Sequence, residues 1–234
     1  MQERHSRTSI LLGADAPEKL KNARVAVLGL GGVGSYIVEA LARAGVGHLV
    51  LIDRDVYTES NLNRQLYALP ATVGRKKTEV ARERVLAIDP SIRVETVDAF
   101  VLPENVETLP LGNMSYIADA IDTVSAKIEL AVYANKNGIP LISAMGAGNK
   151  TDPTAFRVTR LRDTRVCPLA RVMRTELAKR GIRDLKVVYS EEEPRKSPLL
   201  DEESGKPVPG SVSFVPSVVG LIMAGEIIKD IVSK

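Results

Sequence analysis

The chain has 234 residues, 44% of them hydrophobic, and a formal net charge of +3. This length fits one domain with a substantial buried core, and the mild charge neither requires nor excludes a polyanionic partner. An aromatic content of 4% without tryptophan argues against binding of single-stranded nucleic acid by stacking, and a lone cysteine excludes an internal disulfide.

The two ends of the sequence predict neither export nor membrane insertion. Residues 1–7 are polar and lack the apolar core of a signal peptide. The longest apolar tract, Val212–Val232, is interrupted by a proline and three charged residues, which make it too polar for a membrane span. Together with the single Cys167, these features favour a reducing, cytoplasmic location without a membrane partner.

The first 144 residues alternate between strand and helix patterns. Apolar runs of strand length separated by helical spacing are typical of β-α-β units with parallel strands. The predicted strands are Val25–Leu30, His48–Asp53, Arg93–Val97, Tyr116–Ile121 and Ile139–Ala144. The predicted helices are Ser35–Ala44, a helix from Thr72 or Gly74 to Ala87, and Val124–Asn137. We therefore expect an α/β fold with a Rossmann-like, mostly parallel sheet flanked by helices.

After residue 144 the pattern changes, and antiparallel strands are expected to extend the sheet. The predicted elements are a strand at Phe156–Leu161, a basic helix at Pro168–Arg180, strands at Lys186–Tyr189 and Ser211–Val215, and a helix at Val218–Val232. Residues 191–210 predict a flexible loop that could act as a lid. The whole chain, 1–234, is expected to be one domain, with a core at 20–144 that holds the predicted parallel strands and an extension at 145–234.

Residues 29–34 read GLGGVG and lie between the first predicted strand and the first predicted helix. Glycines here permit a tight turn and a close approach of the backbone to a ligand. The free N–H groups and the dipole of the following helix favour an anion. We therefore predict a phosphate-binding loop that uses Gly29, Gly31, Gly32 and Gly34. The motif alone is also typical of dehydrogenases that bind NAD.

Two aspartates follow predicted strands of the same sheet. Ligands of an open parallel sheet bind beyond the carboxyl ends of the strands, so Asp53 and Asp122 are expected beside the glycine loop. The spacing of Asp53 is typical of a carboxylate that binds ribose hydroxyls, and the alternative is a turn residue. Asp122 could hold Mg²⁺ through an oxygen, and the alternative is a helix N-cap.

Arg64 and Lys77 distinguish between classes of nucleotide. Backbone amides suffice for the diphosphate of a nicotinamide cofactor, whereas a triphosphate needs cationic side chains and Mg²⁺ to support the departure of pyrophosphate. Each residue read alone is an ordinary surface cation. Beside a glycine loop, the two favour ATP over the alternative of an NAD-dependent oxidoreductase or a nucleotide-binding scaffold.

Five segments together resemble the adenylating enzymes of the ubiquitin-activating superfamily, which includes the molybdopterin and thiamine sulfur-carrier adenylyltransferases. They are GLGGVG (29–34), LIDRD (51–55), SNLNRQ (60–65), ATVGRKK (71–77) and DAIDT (119–123). Within that group the chain is most similar to the tRNA threonylcarbamoyladenosine dehydratases, through HSRTSILLG (5–13), SAMGAGNKTDPT (143–154), RVCPLARVMRTELAKRGI (165–182), LKVVYSEEEP (185–194) and GSVSFVPSVVG (210–220). The paired CxxC zinc ligands that are common in the sulfur-carrier enzymes are absent from this sequence.

The resemblance implies a set of site residues. Its ATP site falls on Gly31, Gly32, Asp53, Asn61, Arg64, Lys77, Asp122 and Thr123. It also implies Mg²⁺ bound with ATP at Asp122, a monovalent cation (Na⁺ or K⁺) at the loop Met145–Asn149, and a homodimer in which Arg7 enters the partner's site. The residues expected to assist catalysis are Arg64, Lys77, Asp122 and Arg7.

The implied reaction is the ATP-dependent cyclisation of N6-threonylcarbamoyladenosine at position 37 of tRNA, with loss of water. ATP would convert the carboxylate of the substrate into an acyl adenylate, and the carbamoyl group would then close the ring. The alternative is an adenylyltransferase that activates the C-terminus of a ubiquitin-like sulfur-carrier protein. A sulfur-relay protein, either a cysteine desulfurase or a sulfur acceptor, is a further candidate partner.

Two features outside the ATP residues leave alternatives open. Cys167 is either a small, partly buried residue, which we favour, or a thioester nucleophile as in related ubiquitin-activating enzymes. The segment 157–196 holds twelve Lys and Arg against six Asp and Glu. Its cations are either a solvated helix face or a contact for the tRNA backbone: Arg165, Arg171, Arg174, Lys179, Arg180, Arg183 and Lys186.

Overall fold

A seven-stranded sheet organises the chain in the computed structural model, which describes residues 3–200, 205 and 207–234. Its strands are β1 (Arg24–Leu28), β2 (His48–Ile52), β3 (Arg93–Val97), β4 (Tyr116–Asp119), β5 (Leu141–Ala144), β6 (Phe156–Arg160) and β7 (Lys186–Ser190). The order across the sheet is β3-β2-β1-β4-β5-β7-β6. All neighbouring strands are parallel except β6, which is antiparallel to β7.

Helices cover both faces of the sheet. They are α1 (Ser6–Leu12), α2 (Ala16–Asn22), α3 (Gly34–Ala44), α4 (Lys77–Ile88), α5 (Val124–Lys136), α6 (Pro168–Lys179) and α7 (Pro216–Val232). Helix α3 packs against α4 and α7 on one face, and α5 packs against α6 on the other. None of the helices among the described residues is long and apolar enough to cross a membrane.

The central strands are largely apolar because both of their faces are buried. In β1, Val25 and Val27 join the core under α3 and α7, whereas Ala26 and Leu28 join the core under α5 and α6. Such continuous apolar runs are characteristic of parallel strands covered on both sides. The predicted Rossmann-like sheet is therefore confirmed.

The strand order reverses between β1 and β4. The chain proceeds from β1 to β2 and β3 in one direction, and β4 and β5 continue on the other side of β1. In such sheets the loops after β1 and β4 separate and leave a crevice at the carboxyl ends of the strands. The predicted nucleotide-binding loops therefore meet at this edge.

The predicted strand at Ser211–Val215 is wrong. These residues form turns before α7, and two of their carbonyl oxygens accept hydrogen bonds from side chains rather than from a neighbouring strand. Ser211 O accepts from Asn63 Nδ2 at 3.1 Å, and Ser213 O accepts from Ser217 Oγ at 2.7 Å. An apolar alternation alone does not make a strand unless the folded chain places the segment beside a strand edge.

Two helix boundaries also differ from the prediction. The helix expected from Thr72 or Gly74 begins at Lys77, because Gly74 has a positive φ of 85° and Val56 pairs with Lys76 in an isolated bridge. Helix α7 begins at Pro216, where proline fits the first turn of a helix. The starts of both helices lie at the edge of the nucleotide crevice.

The predicted flexible loop 191–210 lies partly outside the described residues, at positions 201–204 and 206. Its described parts contact the rest of the domain. Glu192 accepts from the backbone nitrogens of Thr151 and Asp152, and Arg195 N donates to Asn149 O at 2.8 Å.

Candidate active site

A cavity of about 600 Å³ opens at the carboxyl ends of β1, β2 and β4. The glycine loop forms its floor, the loops after β2 and β4 form two walls, and residues 209–211 form a third. Most of the predicted site residues line it together: Gly29, Gly31, Gly32, Asp53, Asn61, Arg64, Lys77, Asp122 and Thr123.

The glycine loop makes contacts that a larger residue would prevent. A Cβ atom at Gly34 would lie 1.7 Å from Gly29 O, so the first turn of α3 can form only with glycine there. Gly29 has a φ of 84°, and a Cβ atom on it would lie 2.7 Å from Ala120 O in the loop after β4. Gly34 itself is buried and supports the loop from below, whereas the exposed backbone at Gly31 and Gly32 faces the cavity.

Two helices begin at the cavity. Helix α3 starts at the glycine loop, and Pro216, the first residue of α7, lines the cavity beside Gly32. The helices cross closely, because a Cβ atom at Gly220 would lie 2.4 Å from Val33 O. The positive ends of both helix dipoles therefore face the same space, which favours an anionic ligand.

Asp53 joins the loop after β2 to the glycine loop. Its Oδ2 accepts from Leu30 N at 2.6 Å, and its Oδ1 accepts from Asp55 N at 2.8 Å. Burial raises the pKa of Asp53 above its ordinary value of 3.8, and the nearby Lys77 and the two N–H donors offset this only in part. A further donor, such as a ribose hydroxyl, would stabilise its charged form.

Lys77 places a buried cation beside Asp53. Its side chain is 7% exposed, and Nζ lies 2.8 Å from Asp55 Oδ2. The carboxylate of Asp55 is half exposed and lines the cavity. The ammonium group therefore has one anionic partner at the cavity wall and further hydrogen-bonding capacity for an anionic ligand.

Arg64 approaches the cavity from the loop after β2. Its Nη1 donates to Ser60 O at 2.8 Å and to Asn63 Oδ1 at 2.9 Å. These two bonds fix the guanidinium group without neutralising its charge. Asn61, in the same loop, is buried and accepts from Thr58 N at 3.4 Å, so it stabilises the turn that carries Arg64.

Asp122 follows β4 with its side chain exposed, and Thr123 Oγ1 lies 3.4 Å from its Oδ1. Thr123, and not Asp122, occupies the N-cap position of α5, so the helix-cap reading of Asp122 is excluded. No group of three His, Cys, Asp or Glu residues that could hold a metal occurs among residues 3–200, 205 and 207–234. Asp122 offers the cavity one exposed carboxylate, the type of oxygen ligand that Mg²⁺ prefers.

A strap at residues 209–211 closes one side of the cavity. Gly210 N donates to Asn149 Oδ1 at 2.6 Å, and Asn149 N donates to Gly210 O at 2.8 Å. Asn63 Nδ2 binds the next carbonyl, that of Ser211, at 3.1 Å. Two asparagines thus hold the strap against the nucleotide cavity.

Gln65 was not predicted as a site residue, and Asn149, although part of the predicted cation loop, was not predicted to hold the strap. Gln65 lines the cavity beside Gly31, and its buried Oε1 has no hydrogen-bond partner in the described part of the chain. The sequence signal for Gln65 was its place at the end of the SNLNRQ segment. Asn149 has a positive φ of 61°, which the glycine-rich loop around it did not reveal.

The remaining predicted residues lie away from this cavity. Arg7 is exposed on α1, and Cys167 is 2% exposed before α6. Of the basic cluster, Arg174 is bonded to Thr164, and Lys179 and Arg180 are paired with Glu176. The exposed cations of this cluster are Arg165, Arg171, Lys179, Arg180 and Arg183.

Comparisons with known proteins agree with this geometry. A model of the ThiF family matches residues 4–234. The chain is 43% identical over 242 residues to the tRNA threonylcarbamoyladenosine dehydratase of Bacillus subtilis (strain 168), covering 99% of this chain and 95% of the relative. The crystal structure of the E. coli tRNA N6-threonylcarbamoyladenosine dehydratase TcdA in complex with ATP matches with a TM-score of 0.90 and 36% identity, over 99% of this chain and 95% of that one.

An adenylyltransferase is a more distant relative. The molybdopterin-synthase adenylyltransferase of Salmonella typhimurium is 39% identical over 155 residues, which are 65% of this chain and 62% of the relative. The family model extends over nearly the whole sequence. The chain therefore belongs to the ThiF family.

Proposed function

We propose that this protein is an ATP-dependent tRNA threonylcarbamoyladenosine dehydratase. The observation that carries the proposal is full-length similarity to a dehydratase with ATP bound, in a chain whose own cavity gathers Arg64, Lys77 and Asp122 around a glycine loop. ATP is a substrate in this reaction. The cavity fits it because two helix starts and two cationic side chains face the same space.

The first step activates the carboxylate of the substrate. One of its oxygens attacks the α-phosphorus of ATP, pyrophosphate leaves, and an acyl adenylate forms. Charge accumulates on the phosphates as the α-phosphorus becomes crowded, and Arg64 and Lys77 would stabilise that charge. When bound, Mg²⁺ would neutralise further phosphate charge, and Asp122 is the residue that would hold it.

The second step closes the ring. A nucleophilic atom of the carbamoyl group attacks the activated carbonyl, AMP leaves, and the net result is loss of water coupled to ATP cleavage. No protein nucleophile is required. The burial of Cys167 supports this scheme, because a thioester nucleophile must reach its substrate.

A homodimer would complete the site. Arg7 lies on α1, whose Ile10 and Leu11 side chains are 81% and 85% exposed, and such apolar exposure on one short helix favours a contact with a second copy. In that dimer Arg7 would enter the partner's cavity. The loop Met145–Asn149, which contributes Ala147 and Gly148 to the cavity wall, would bind the predicted monovalent cation through its carbonyl oxygens.

The tRNA would bind across the basic segment. Arg165, Arg171 and Arg183 are exposed cations on or beside α6. Phosphate contacts of this kind weaken as salt increases, so tRNA affinity is expected to fall between low and moderate salt. A tRNA substrate agrees with the cytoplasmic location predicted from the sequence.

The test incubates the purified protein with labelled ATP and tRNA that carries threonylcarbamoyladenosine. AMP release and conversion of the nucleoside to its cyclic form, measured by mass spectrometry, are the expected results. A parallel incubation with a ubiquitin-like sulfur-carrier protein tests the alternative adenylyltransferase. AMP formation with the carrier protein and none with modified tRNA would reject the dehydratase assignment and make a sulfur-relay partner the first protein to examine.

A further inference from the structure

A fully buried ion pair lies beneath the loop that carries Asp122. The side chains of Lys127, on α5, and Asp119, the last residue of β4, have no exposed surface. Lys127 Nζ lies 2.9 Å from Asp119 Oδ2. Ser143 of β5 donates its hydroxyl to the same oxygen at 2.6 Å. One polar cluster thus joins two strands and a helix.

The same cluster holds the backbone of the loop. Lys127 Nζ donates to Ile121 O at 3.1 Å, and Asp119 Oδ1 accepts from Ile121 N at 3.2 Å. Both backbone polar groups of Ile121 are therefore bound by the pair. The preceding residue, Ala120, donates to Leu28 O at 2.9 Å and lies against Gly29. Because these hydrogen bonds hold the backbone of residues 120 and 121, they also fix the direction in which the backbone continues to Asp122.

Stability alone does not account for this pair. Taking two charges out of water commonly costs more free energy than their attraction returns, and apolar residues of similar volume are often as stable at such positions. The other buried residues of β4 and α5 are largely apolar, for example Ile117 and Leu130. An apolar pair could fill the same space, but it could not bind the N–H and C=O groups of Ile121.

We propose that Lys127 is a positioning residue, which acts through Asp119 and Ile121 to set Asp122 for a metal-bound triphosphate. Neither member of the ion pair lines the cavity, so their effect on the nucleotide is indirect. The inference rests on the function proposed above, because that function gives Asp122 its role. It adds that the position of the Asp122 carboxylate depends on a buried cation.

The test uses the double variant Asp119→Asn/Lys127→Met, which removes both charges and leaves no buried charge unpaired. In the full-length protein we would measure kcat for tRNA-dependent AMP release, the Mg²⁺ concentration that gives half the maximal rate, and the thermal unfolding midpoint. We expect a midpoint near that of the unmodified protein, a loss of about 10- to 100-fold in kcat, and an increased Mg²⁺ requirement. A double variant with unchanged kcat and Mg²⁺ dependence would overturn the proposal.

The matched control is Lys136→Met on the same helix. Lys136 pairs with Glu107 at 2.9 Å, but both side chains are about two-thirds exposed, and the pair lies away from the cavity. This variant is expected to leave kcat and the Mg²⁺ requirement unchanged. An equal loss in the control would show that any change in α5 reduces activity and would overturn the specific role of Lys127.

A cycle with Asp122→Asn tests the route of the effect. If Lys127 acts through Asp122, the loss caused by the double variant should shrink to less than about 3-fold in the Asp122→Asn background, whereas independent effects would multiply. Multiplied losses would therefore reject the proposal. If the double variant does not fold, Ser143→Ala, which retains both charges, is expected to give the same pattern with a smaller loss, and full activity of Ser143→Ala would then reject it.

Failure of the proposed function would look different. In that case Asp122→Asn itself would retain the full rate, or the unmodified protein would release no AMP with modified tRNA. If AMP release is absent, the positioning role is measured by calorimetry as Mg²⁺-dependent ATP affinity, which the double variant should weaken and Lys136→Met should not. Equal affinities would overturn the proposal.

Discussion

Two neighbouring lysines, Lys76 and Lys77, have opposite surroundings. Lys76 is half exposed and pairs with Asp98 at 2.6 Å on the surface. Lys77 is 7% exposed and pairs with Asp55 at the wall of the cavity. The two are the same residue type at adjacent positions, so variants of each can separate the loss of a charge from the loss of a proposed phosphate ligand.

We expect Lys77→Met to reduce the rate of AMP release by about 100- to 1,000-fold, because it removes a fixed positive charge from the forming transition state. Lys76→Met should change the rate by less than about 2-fold, because exposed ion pairs contribute little. Steady-state AMP release with modified tRNA measures both. Equal losses in the two variants would contradict the role assigned to Lys77.

Cys167 is expected to be dispensable for chemistry. Cys167→Ala removes a buried sulfur beside Gly146 and should lower stability by about 1 kcal/mol, while the rate per folded molecule stays within about 2-fold. Urea unfolding and AMP release measure the two effects separately. A variant that still cleaves ATP to AMP but no longer forms the cyclic nucleoside would instead indicate a thioester intermediate.

Individual site residues could be predicted where the topology of the parallel sheet determines their position. Asp53 follows a strand and Lys77 begins a helix, both next to a glycine loop. The parallel sheet therefore places the two residues close together. Gln65 and Asn149 were not predictable in this way. Their roles depend on which polar atoms remain unpaired and which distant carbonyl lies nearby, and neither property is encoded in local sequence patterns.

Helices α3 and α4 are joined by a partly buried carboxylate. Glu39 on α3 pairs with Arg84 on α4 and with Arg43 on its own helix, at 2.8 Å in each case. Burial alone would raise the pKa of Glu39, but hydrogen bonds from the two arginines outweigh it and hold the pKa below its ordinary value of 4.5.

This lowered pKa predicts a pH-dependent contribution to stability. A carboxylate with a lowered pKa in the folded state stabilises the fold above its unfolded pKa, and that contribution is lost as the pH falls through the folded pKa. Glu39→Gln should therefore lower the free energy of unfolding by about 1 kcal/mol at pH 7, since both arginines are partly exposed, and by much less below pH 4. Denaturant unfolding across this pH range measures the difference in free energy of unfolding between Glu39→Gln and the unmodified protein, and Glu107→Gln serves as the exposed control. A difference that is as large below pH 4 as at pH 7 would contradict the prediction.

The strap provides a prediction for a loop element. Asn149→Gly keeps the positive φ but removes the side-chain acceptor for Gly210, so the strap should loosen without a strained backbone. We expect the KM for ATP to rise by about 3- to 10-fold with little change in kcat, because a change of this size corresponds to the loss of one hydrogen bond. Asn113→Gly, also at a positive φ but in a loop outside the cavity, should leave KM unchanged.

At the scale of elements, the sequence predicted β1, β2, β4 and β5 well, because each is a largely apolar run buried on both faces. The edge strand β3 was predicted from its alternation instead, and its residues are only partly buried. The prediction failed at Ser211–Val215, where a similar apolar alternation lies beside the cavity and its carbonyls bind side chains. Whether such a segment becomes a strand depends on a free strand edge, and that is a property of the assembled sheet.

At the scale of the whole molecule, the proposed dimer would place Arg7 of each copy in the other's cavity. Arg7→Ala and Asp122→Asn should each lose most of the activity alone, because one lacks the entering arginine and the other the proposed metal ligand. Mixed under conditions that exchange subunits, they should recover about a quarter of the unmodified activity, since half of the dimers hold one complete site. Sedimentation would establish the dimer, and a mixture that stays inactive despite exchange would contradict a shared site.

The close crossing of α3 and α7 has a consequence for how the domain tolerates change near its carboxyl terminus. Gly220 leaves no room for a methyl group against Val33 O, and Pro216, one turn earlier, is part of the chamber wall. The closing helix is therefore both a core element and a boundary of the ligand chamber. Shortening the chain within this helix, or fusing another chain there, would therefore alter the shape of the catalytic compartment. This holds even though the helix lies more than a hundred positions from the glycine loop in the sequence.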